Sequence, residues 1–136
     1  MPSDPLRENG DYPSDPADLL PANSVLNLDE YIQMYAAVGH RVRFEILYRL
    51  VHGGETTPSD LSEELSEDSS TLSDHIDHLL DAGLIQRRMR TEKGEMTVST
   101  FYRETIFGEI VLTEGIEPLL LAEKEFSAMY GSSVDG

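Results

Sequence analysis

Between residues 28 and 82, hydrophobic positions recur every three or four residues, which is the spacing of amphipathic helices. Polar capping residues and glycines divide this stretch into segments. Thr57 followed by Pro58, and Asp68 ahead of a serine pair, are typical helix starts, and Gly39 is a typical helix end. The pattern predicts four helices, over residues 28–38, 41–52, 58–65 and 69–82.

Beyond Gly83 the pattern changes from helical spacing to the alternation of strands. Residues 84–91 and 97–103 are rich in β-branched, aromatic and arginine side chains, and they predict two strands. Residues 92–95 between them include a glycine, which can adopt the positive φ that hairpin turns require. The two strands are therefore predicted to pair as a hairpin.

The C-terminal part of the chain returns to helical spacing. Thr105 is a candidate cap for a helix, although the β-branched residues over 106–112 leave a third strand open. A clearer amphipathic helix is predicted over 118–130. Because Gly115 and Pro118 both disfavour a regular helix interior, we expect a break or kink between these two segments.

The predicted elements run in the order of a winged helix-turn-helix, with the hairpin as the wing. The fold class is mainly α with a small β-hairpin (α+β), completed by a C-terminal dimerisation helix. Five of the seven prolines fall within the first 21 residues, which predicts an extended or disordered acidic arm over 1–27. We expect the winged helix-turn-helix DNA-binding domain over 28–105 and a helical dimerisation segment over 106–136.

Three segments carry a family resemblance. Residues 37–50 resemble the second-helix signature of ArsR-like repressors, with its spaced glycine, arginine and Ile-Leu pair. Residues 68–85 resemble the recognition helix of that family and the Ala-Gly-Leu that follows it. Residues 101–105, followed by Gly108, resemble the end of the wing in ArsR-, MarR- and PadR-like proteins. The resemblance implies a homodimeric transcription regulator that reads DNA with residues 69–82.

The formal net charge of −16 arises from 26 acidic and 10 basic residues, of which only two are lysines. This excess could form an acidic interaction surface or could adapt the whole surface to high intracellular salt. The small number of lysines and the spread of acids along the whole chain favour the second explanation. At about 1 M salt the Debye length is about 3 Å, so neighbouring carboxylates repel one another little. The composition resembles that of proteins from halophilic archaea that accumulate salt.

Basic residues are concentrated in the predicted hairpin, where five cations against two acids give +3 over residues 86–103. A basic wing suits the DNA backbone or minor groove, and short polar side chains at a helix N-terminus suit base edges. The candidate DNA-binding residues are Arg41, Arg43, Ser69, Ser70, Thr71, Ser73, Asp74, Asp77, His78, Arg87, Arg88, Arg90, Lys93 and Arg103.

The acids of the helix-turn-helix are the strongest objection to DNA binding. Residues 53–85 carry nine acids and no lysine or arginine. Asp74 and Asp77 stand where members of the resembled family usually place basic or amide side chains. A carboxylate can accept a hydrogen bond from cytosine, but it repels phosphates. We therefore expect cations, most simply potassium ions, between the protein and a pseudo-palindromic DNA duplex.

Surplus apolar residues near the C-terminus predict homodimerisation, because one small domain cannot bury them all. The candidate interface residues are Tyr31, Ile106, Phe107, Ile110, Leu119, Leu120 and Phe126.

Other functions have less support in the sequence. His75 and His78 could belong to a metal site, but the lack of further nearby ligands favours packing for His75 and the rim of the DNA surface for His78. The absence of cysteine excludes disulfides and thiolate chemistry, and no catalytic spacing stands out, so we expect no enzyme, metal or cofactor. No apolar run could span a membrane, and we expect a cytoplasmic protein. The alternative function is a protein-binding winged-helix transcription adaptor without base readout.

Overall fold

Local capping chemistry sets the helix boundaries in the computed structural model, which describes residues 12–91, 94 and 96–130. Thr57 accepts a hydrogen bond from the N–H of Asp60, and Asp68 accepts one from the N–H of Thr71, so each caps the helix that follows it. Ser66, with φ of 55°, ends the helix between them. The four helices are α1 (Leu28–Val38), α2 (Arg41–Gly53), α3 (Pro58–Leu65) and α4 (Ser69–Asp81).

The chain divides into two units between Gln33 and Met34. In the first unit, the described residues form a 3-10 helix over Pro16–Leu19 and the start of α1. Asn27 and Glu30 cap α1 reciprocally, because each side chain accepts a hydrogen bond of 2.9 Å from the main-chain N–H of the other.

The second unit is built around apolar side chains from α1 through to the C-terminal helical segment. A fully buried leucine or isoleucine stabilises such a core by about 1.5–3 kcal/mol relative to an exposed one. The buried hydrophobic residues are Met34, Ala37, Val38, Ile46, Leu47, Leu50, Leu61, Leu72, Ile76, Leu79, Leu84, Ile85, Tyr102, Val111 and Leu112.

The wing is an antiparallel pair of strands, β1 (Ile85–Thr91) and β2 (Val98–Glu104). Thr56, between α2 and α3, adds a single bridge to β2 through two main-chain hydrogen bonds with Tyr102, of 3.1 and 2.8 Å. The hairpin and helix predictions are confirmed with boundaries shifted by about one residue. Together these elements make the mainly α fold with a small β wing that the sequence predicts.

A long helical segment follows the wing and consists of α5 (Ile106–Ile110), a π-helical turn (Val111–Ile116) and α6 (Glu117–Tyr130). Thr105 caps α5, since its hydroxyl accepts a hydrogen bond from the N–H of Gly108. The third-strand alternative for residues 106–112 is therefore wrong.

The expected break before α6 takes the form of this π-helical turn. The N–H of Glu117 donates to the carbonyl of Leu112, five residues back. Pro118 has no N–H and its ring crowds the carbonyl four residues earlier, which disfavours regular α-helical bonding there. Gly115 leaves room for Tyr35, because a Cβ at position 115 would lie 2.5 Å from the Tyr35 hydroxyl. The helix thus continues through the turn, and the side chains after the turn are rotated about the helix axis relative to those before it.

Candidate nucleic-acid interface

Helix α4 has one buried face and one polar face. Leu72, Ile76 and Leu79 are buried, as the helical spacing predicts. Ser69 and Ser73 lie one turn apart on the exposed side. This arrangement gives the helix a row of short hydrogen-bonding side chains of the kind that reads base edges in a major groove.

The N-terminus of α4 is occupied by the carboxylate of Asp68. It accepts hydrogen bonds from the Thr71 N–H at 2.8 Å and from the hydroxyls of Ser70 and Thr71 at 3.1 Å. The main-chain bond from Thr71, followed by the hydroxyl bonds, lowers the pKa of Asp68. Ser70 and Thr71 thus donate within the protein and keep their oxygen lone pairs for donors outside it. A phosphate at this helix end would have to approach an ionised carboxylate.

The acids that the sequence analysis singled out lie on the surface of α4. Asp74, Asp77 and His78 are all exposed. Asp77 is close enough to the wing for its charge to raise the pKa of Arg87, although less than the hydroxyl of Tyr102 does. Asp77 therefore has a cationic neighbour within the protein.

His75 connects α4 to the start of α2. Its ring lies 4.4 Å, between centroids, from the ring of His40, and its Nδ1 is 3.2 Å from a terminal nitrogen of Arg43. Because a guanidinium only donates, Nδ1 accepts and the neutral ring carries its proton on Nε2. Burial, followed by the nearby charges of His40 and Arg43, lowers the pKa of His75, while Glu67 acts in the opposite direction. The packing role expected for His75 agrees with these contacts.

The two arginines at the start of α2 have partners inside the protein. Arg43 is half-buried and donates through Nε to the carbonyl of Ala37 at the end of α1, in addition to its contact with His75. Arg41 is exposed and pairs with Glu45, one turn along α2. Arg43 thus has a structural role besides its predicted contact with DNA, whereas Arg41 stays accessible.

The strand register divides the wing arginines between the two faces of the hairpin. Side chains of directly paired residues lie on the same face, and successive residues alternate. Arg87 pairs with Tyr102, whereas Arg88 pairs with Phe101 and Arg90 with Ser99. Arg87 therefore lies on one face of the wing, and Arg88 and Arg90 lie on the other.

Arg87 and Tyr102 are in direct contact. The Nε of Arg87 donates to the Tyr102 hydroxyl at 3.3 Å, and the guanidinium carbon lies 5.7 Å from the ring centroid. The hydroxyl bond is the largest cause of the raised pKa of Arg87.

Arg90 contacts Glu55, in the loop after α2, and Phe101, on its own face of the hairpin. Its terminal nitrogen lies 2.7 Å from a carboxylate oxygen of Glu55, and its guanidinium carbon stands 3.8 Å from the centroid of the Phe101 ring. Arg88 and Arg103 are exposed on the same face. Lys93, also predicted to bind DNA, lies outside the described residues.

A groove of about 530 Å³ lies beside the polar face of α4. It brings α3, the first half of α4 and the ring of Tyr102 together, and four of its side chains are serines. Its lining residues are Pro58, Ser59, Ser62, Glu63, Ser69, Leu72, Ser73, Ile76 and Tyr102. The groove offers hydroxyl groups next to the face of α4 that is suited to base contacts.

A second concavity, of about 630 Å³, lies along α2 and the loop that follows it. Its wall includes Tyr48 and His52, whose ring centroids are 4.7 Å apart. Each of its three carboxylates pairs with an arginine, in the pairs Glu45–Arg41, Glu64–Arg49 and Glu55–Arg90. Among the described residues, no group of three or more histidines and acids could hold a metal ion.

The apolar residues assigned to dimerisation are mostly exposed. Leu119 and Phe126 expose 72% and 60% of their surface, and α6 buries no residue in the described part of the chain. Ile106, Ile110 and Leu120 are exposed as well, and Phe107 is half-buried. Tyr31 lies in the first turn of α1. No helix in the described part combines the length and apolar content that crossing a bilayer requires.

Comparisons with known proteins agree with this geometry. Residues 38–88 match the family model described as a helix-turn-helix domain. The arsenical resistance operon repressor of Bacillus subtilis is 38% identical over 63 residues, which are 46% of this chain and 60% of the repressor. The match thus spans less than two-thirds of that relative's length.

Solved structures with similar folds come from bacteria and an archaeon. HlyU from Vibrio cholerae superposes with a TM-score of 0.54 at 23% identity, over 68% of this chain and 94% of HlyU. A transcriptional regulator homologue from Pyrococcus horikoshii gives 0.57 at 19% identity, over 73% and 98% of the two chains. A homodimeric winged helix-turn-helix DNA-binding domain from Mycobacterium bovis gives 0.50 at 19%, over 80% and 90%.

These likenesses establish the winged helix-turn-helix fold, with a helix-turn-helix domain over residues 38–88. The relatives are named as a repressor and as a transcriptional regulator homologue, and neither name describes an enzyme.

Sequence reasoning missed two residues that organise the wing. Tyr102 could have been found from the hairpin pattern, because it lies in the strand predicted to pair with the arginine-rich strand and an aromatic ring attracts a guanidinium. Glu55 could not be found from the sequence, because it lies 35 residues before Arg90 and no local pattern connects the two.

Proposed function

We propose that this protein is an ArsR-type transcription regulator that binds DNA as a homodimer. The observation that carries the proposal is that the polar face of α4 lies beside the wing, because Ser69, Ser73 and Tyr102 line one groove and Tyr102 contacts the exposed Arg87. A helix in the major groove with a basic hairpin on the adjacent backbone needs this arrangement. The 38% identity to an arsenical resistance operon repressor supports the same function.

In the proposed complex, α4 lies in the major groove and Ser69, Ser70 and Ser73 read base edges. Each well-formed base contact discriminates by about 1–3 kcal/mol. The wing contacts phosphates, which adds affinity without sequence preference. Two copies related by a two-fold axis would place their recognition helices about 34 Å apart on a pseudo-palindromic operator.

The C-terminal helical segment is the proposed dimer interface, and its π-helical turn supports that role. In an uninterrupted α-helix, Leu119 would lie about 180° around the axis from Ile110, nine residues away. A turn that accommodates one extra residue reduces the angle between Leu119 and Ile110 to about 80°. By the same count, Phe126 lies within about 60° of Ile110, and Met129 lies nearly in line with it. Leu119, Phe126 and Met129 thus share a stripe with Ile110, whereas Leu120 falls on the opposite side of the helix. A second copy of the same stripe is its proposed partner, and the similar domain from Mycobacterium bovis is described as homodimeric. Tyr31 stays a prediction for this interface.

High salt is the proposed working condition. At low salt, exposed acids such as Asp74 would face phosphates across a poorly screened gap. In molar KCl, screening removes this repulsion, and potassium ions held between carboxylates and phosphates would be taken up on binding. Uptake offsets the counterion release that normally makes affinity fall with a log–log slope of about −0.9 per phosphate contact. We therefore propose that specific binding persists in molar KCl with a shallow or positive slope.

The proposal is tested by selecting binding sites from random duplexes in 2–3 M KCl, roughly the regime in which the Debye length falls below 3 Å. Fluorescence anisotropy then measures affinity for the selected site and for a scrambled one. Enrichment of a pseudo-palindromic site with preferential binding supports the function. Absence of any enriched sequence, with capture of a partner protein instead, would favour a winged-helix adaptor.

The salt proposal needs its own variant. Asp74→Asn removes a carboxylate from α4 without touching the neighbour of Arg87, and it should move the slope toward the ordinary negative value. Asp81→Asn, at the other end of the same helix, is the matched control and should leave the slope unchanged. A steep loss of affinity with salt in the wild type, identical in Asp74→Asn, would show that these acids do not face DNA.

A further inference from the structure

We infer that Tyr102 is a positioning residue that aims Arg87 at DNA, whereas Glu55 holds Arg90 away from it. This inference rests on the proposed function, because it divides the work of DNA binding between two arginines of the same wing.

Tyr102 is a buried residue of β2 whose surroundings restrict its movement. It is 6% exposed, it lies directly opposite Arg87 in the hairpin, and its main chain forms two hydrogen bonds with Thr56 on the other edge of the strand. A buried ring on a strand that is bonded to Thr56 in this way has little freedom to move, so its hydroxyl is held near Arg87. The flexible side chain of Arg87 gains order by bonding to that hydroxyl.

The bond between Arg87 and Tyr102 leaves the useful part of the guanidinium available. It uses Nε, at 3.3 Å from the hydroxyl, so the two terminal nitrogens can still form a bidentate contact. Such a fork matches either a phosphate or the O6 and N7 atoms of guanine. Because Tyr102 lines a groove with Ser69 and Ser73 of α4, its partner Arg87 lies at the junction of the recognition helix and the wing.

Arg90, in contrast to Arg87, has its guanidinium held by contacts that DNA binding would have to break. It lies on the other face of the hairpin, 2.7 Å from Glu55 and stacked at 3.8 Å on Phe101. A contact with DNA would have to break both interactions, whereas Arg87 keeps its hydrogen bond when it binds.

The test compares Tyr102→Phe, Arg87→Ala and the double variant by anisotropy on the selected operator. Tyr102→Phe removes only the hydroxyl and keeps the buried ring, and we expect about three- to ten-fold weaker binding, the range for one hydrogen bond. In the Arg87→Ala background the same change should have no further effect, because the hydroxyl acts only through Arg87. Tyr48→Phe, at an exposed tyrosine of α2, is the matched control and should bind like the wild type.

A second variant separates positioning from fold. Arg87→Lys keeps the charge but has no Nε–H donor, so it should bind weakly and should be insensitive to Tyr102→Phe. Urea unfolding of every variant shows whether the fold is retained. If Tyr102→Phe weakens binding equally with and without Arg87, or leaves it unchanged while Arg87→Ala weakens it, the inference is overturned and the proposed function stands. If the wild type binds no duplex, both are overturned.

Discussion

Gly108 lies in the first turn of the C-terminal helical segment, where the main chain passes close to Leu84 at the end of the helix-turn-helix. A Cβ at this position would lie 2.1 Å from the carbonyl oxygen of Leu84 and 3.1 Å from a methyl group of Leu47. The Leu84 carbonyl already accepts a hydrogen bond of 3.0 Å from the N–H of Thr105, so it cannot withdraw without weakening that bond. We predict that Gly108→Ala strongly destabilises the protein.

The magnitude follows from the size of this overlap. Relieving it to an ordinary contact of 3.4 Å requires the two main chains to move apart by about 1.3 Å. Overpacking of this kind costs about 3 kcal/mol at its usual upper limit. Weakening the bond to Thr105 adds about 1 kcal/mol. Alanine has a better helix propensity than glycine, which offsets about 1 kcal/mol of the loss in the free energy of unfolding. The net loss should be roughly 2–3 kcal/mol, or about 8–12 °C in Tm for a chain of this length.

The assay is urea unfolding followed by far-ultraviolet circular dichroism at one fixed protein concentration, because dimerisation would make stability concentration-dependent. Gly53→Ala is the matched control, since it also lies in a helix and its Cβ would meet nothing within 4 Å. It should be neutral or stabilising by up to about 1 kcal/mol. Equal unfolding midpoints for the two variants would refute the packing argument.

Two further predictions concern titration and the wing. Because burial and its cationic neighbours lower the pKa of His75 below 6.5, the folded state favours the neutral ring, and its contribution to stability should be lost as the pH falls below 6.5. His75→Gln should flatten this part of the stability–pH curve measured by urea unfolding, and an unchanged curve would contradict the assignment. Arg88→Ala, which removes an exposed arginine, should weaken operator binding more than Arg90→Ala, whose arginine is held by Glu55; anisotropy showing the reverse order would be contrary to the prediction.

The parts of the fold that depend on local chemistry could be predicted from the sequence. Thr57, Asp68 and Thr105 each cap the helix that follows them, because a short polar side chain at that position can satisfy N–H groups one turn ahead. The alternation over the wing likewise fixes which arginines share a face once the strands pair. Both inferences need only residues close together in the chain.

Contacts between distant segments could not be predicted in this way. Arg43 and His75 are separated by 32 residues, and Arg90 and Glu55 by 35, so their pairing depends on how α2, α4 and the wing pack. The basic residues that the sequence groups together thus divide into arginines with internal partners and arginines exposed to solvent. Gly115 has a local signal for irregular helix, but that signal could not distinguish a break from a π-helical turn.

The acidic composition and the proposed DNA binding can be reconciled through the ion pairs on the surface. Glutamates occupy arginines that could otherwise bind phosphates, and the pair between Arg41 and Glu45 is partly exposed, at 84% and 35% of the two side chains. Rising salt weakens such a pair and releases the arginine, while it also weakens the attraction between that arginine and a phosphate. The two effects oppose each other, and the second dominates in an ordinary basic DNA-binding protein, which has few carboxylates to release its cations. A surface in which acids compete for the arginines therefore loses affinity at low salt and retains more of it at high salt.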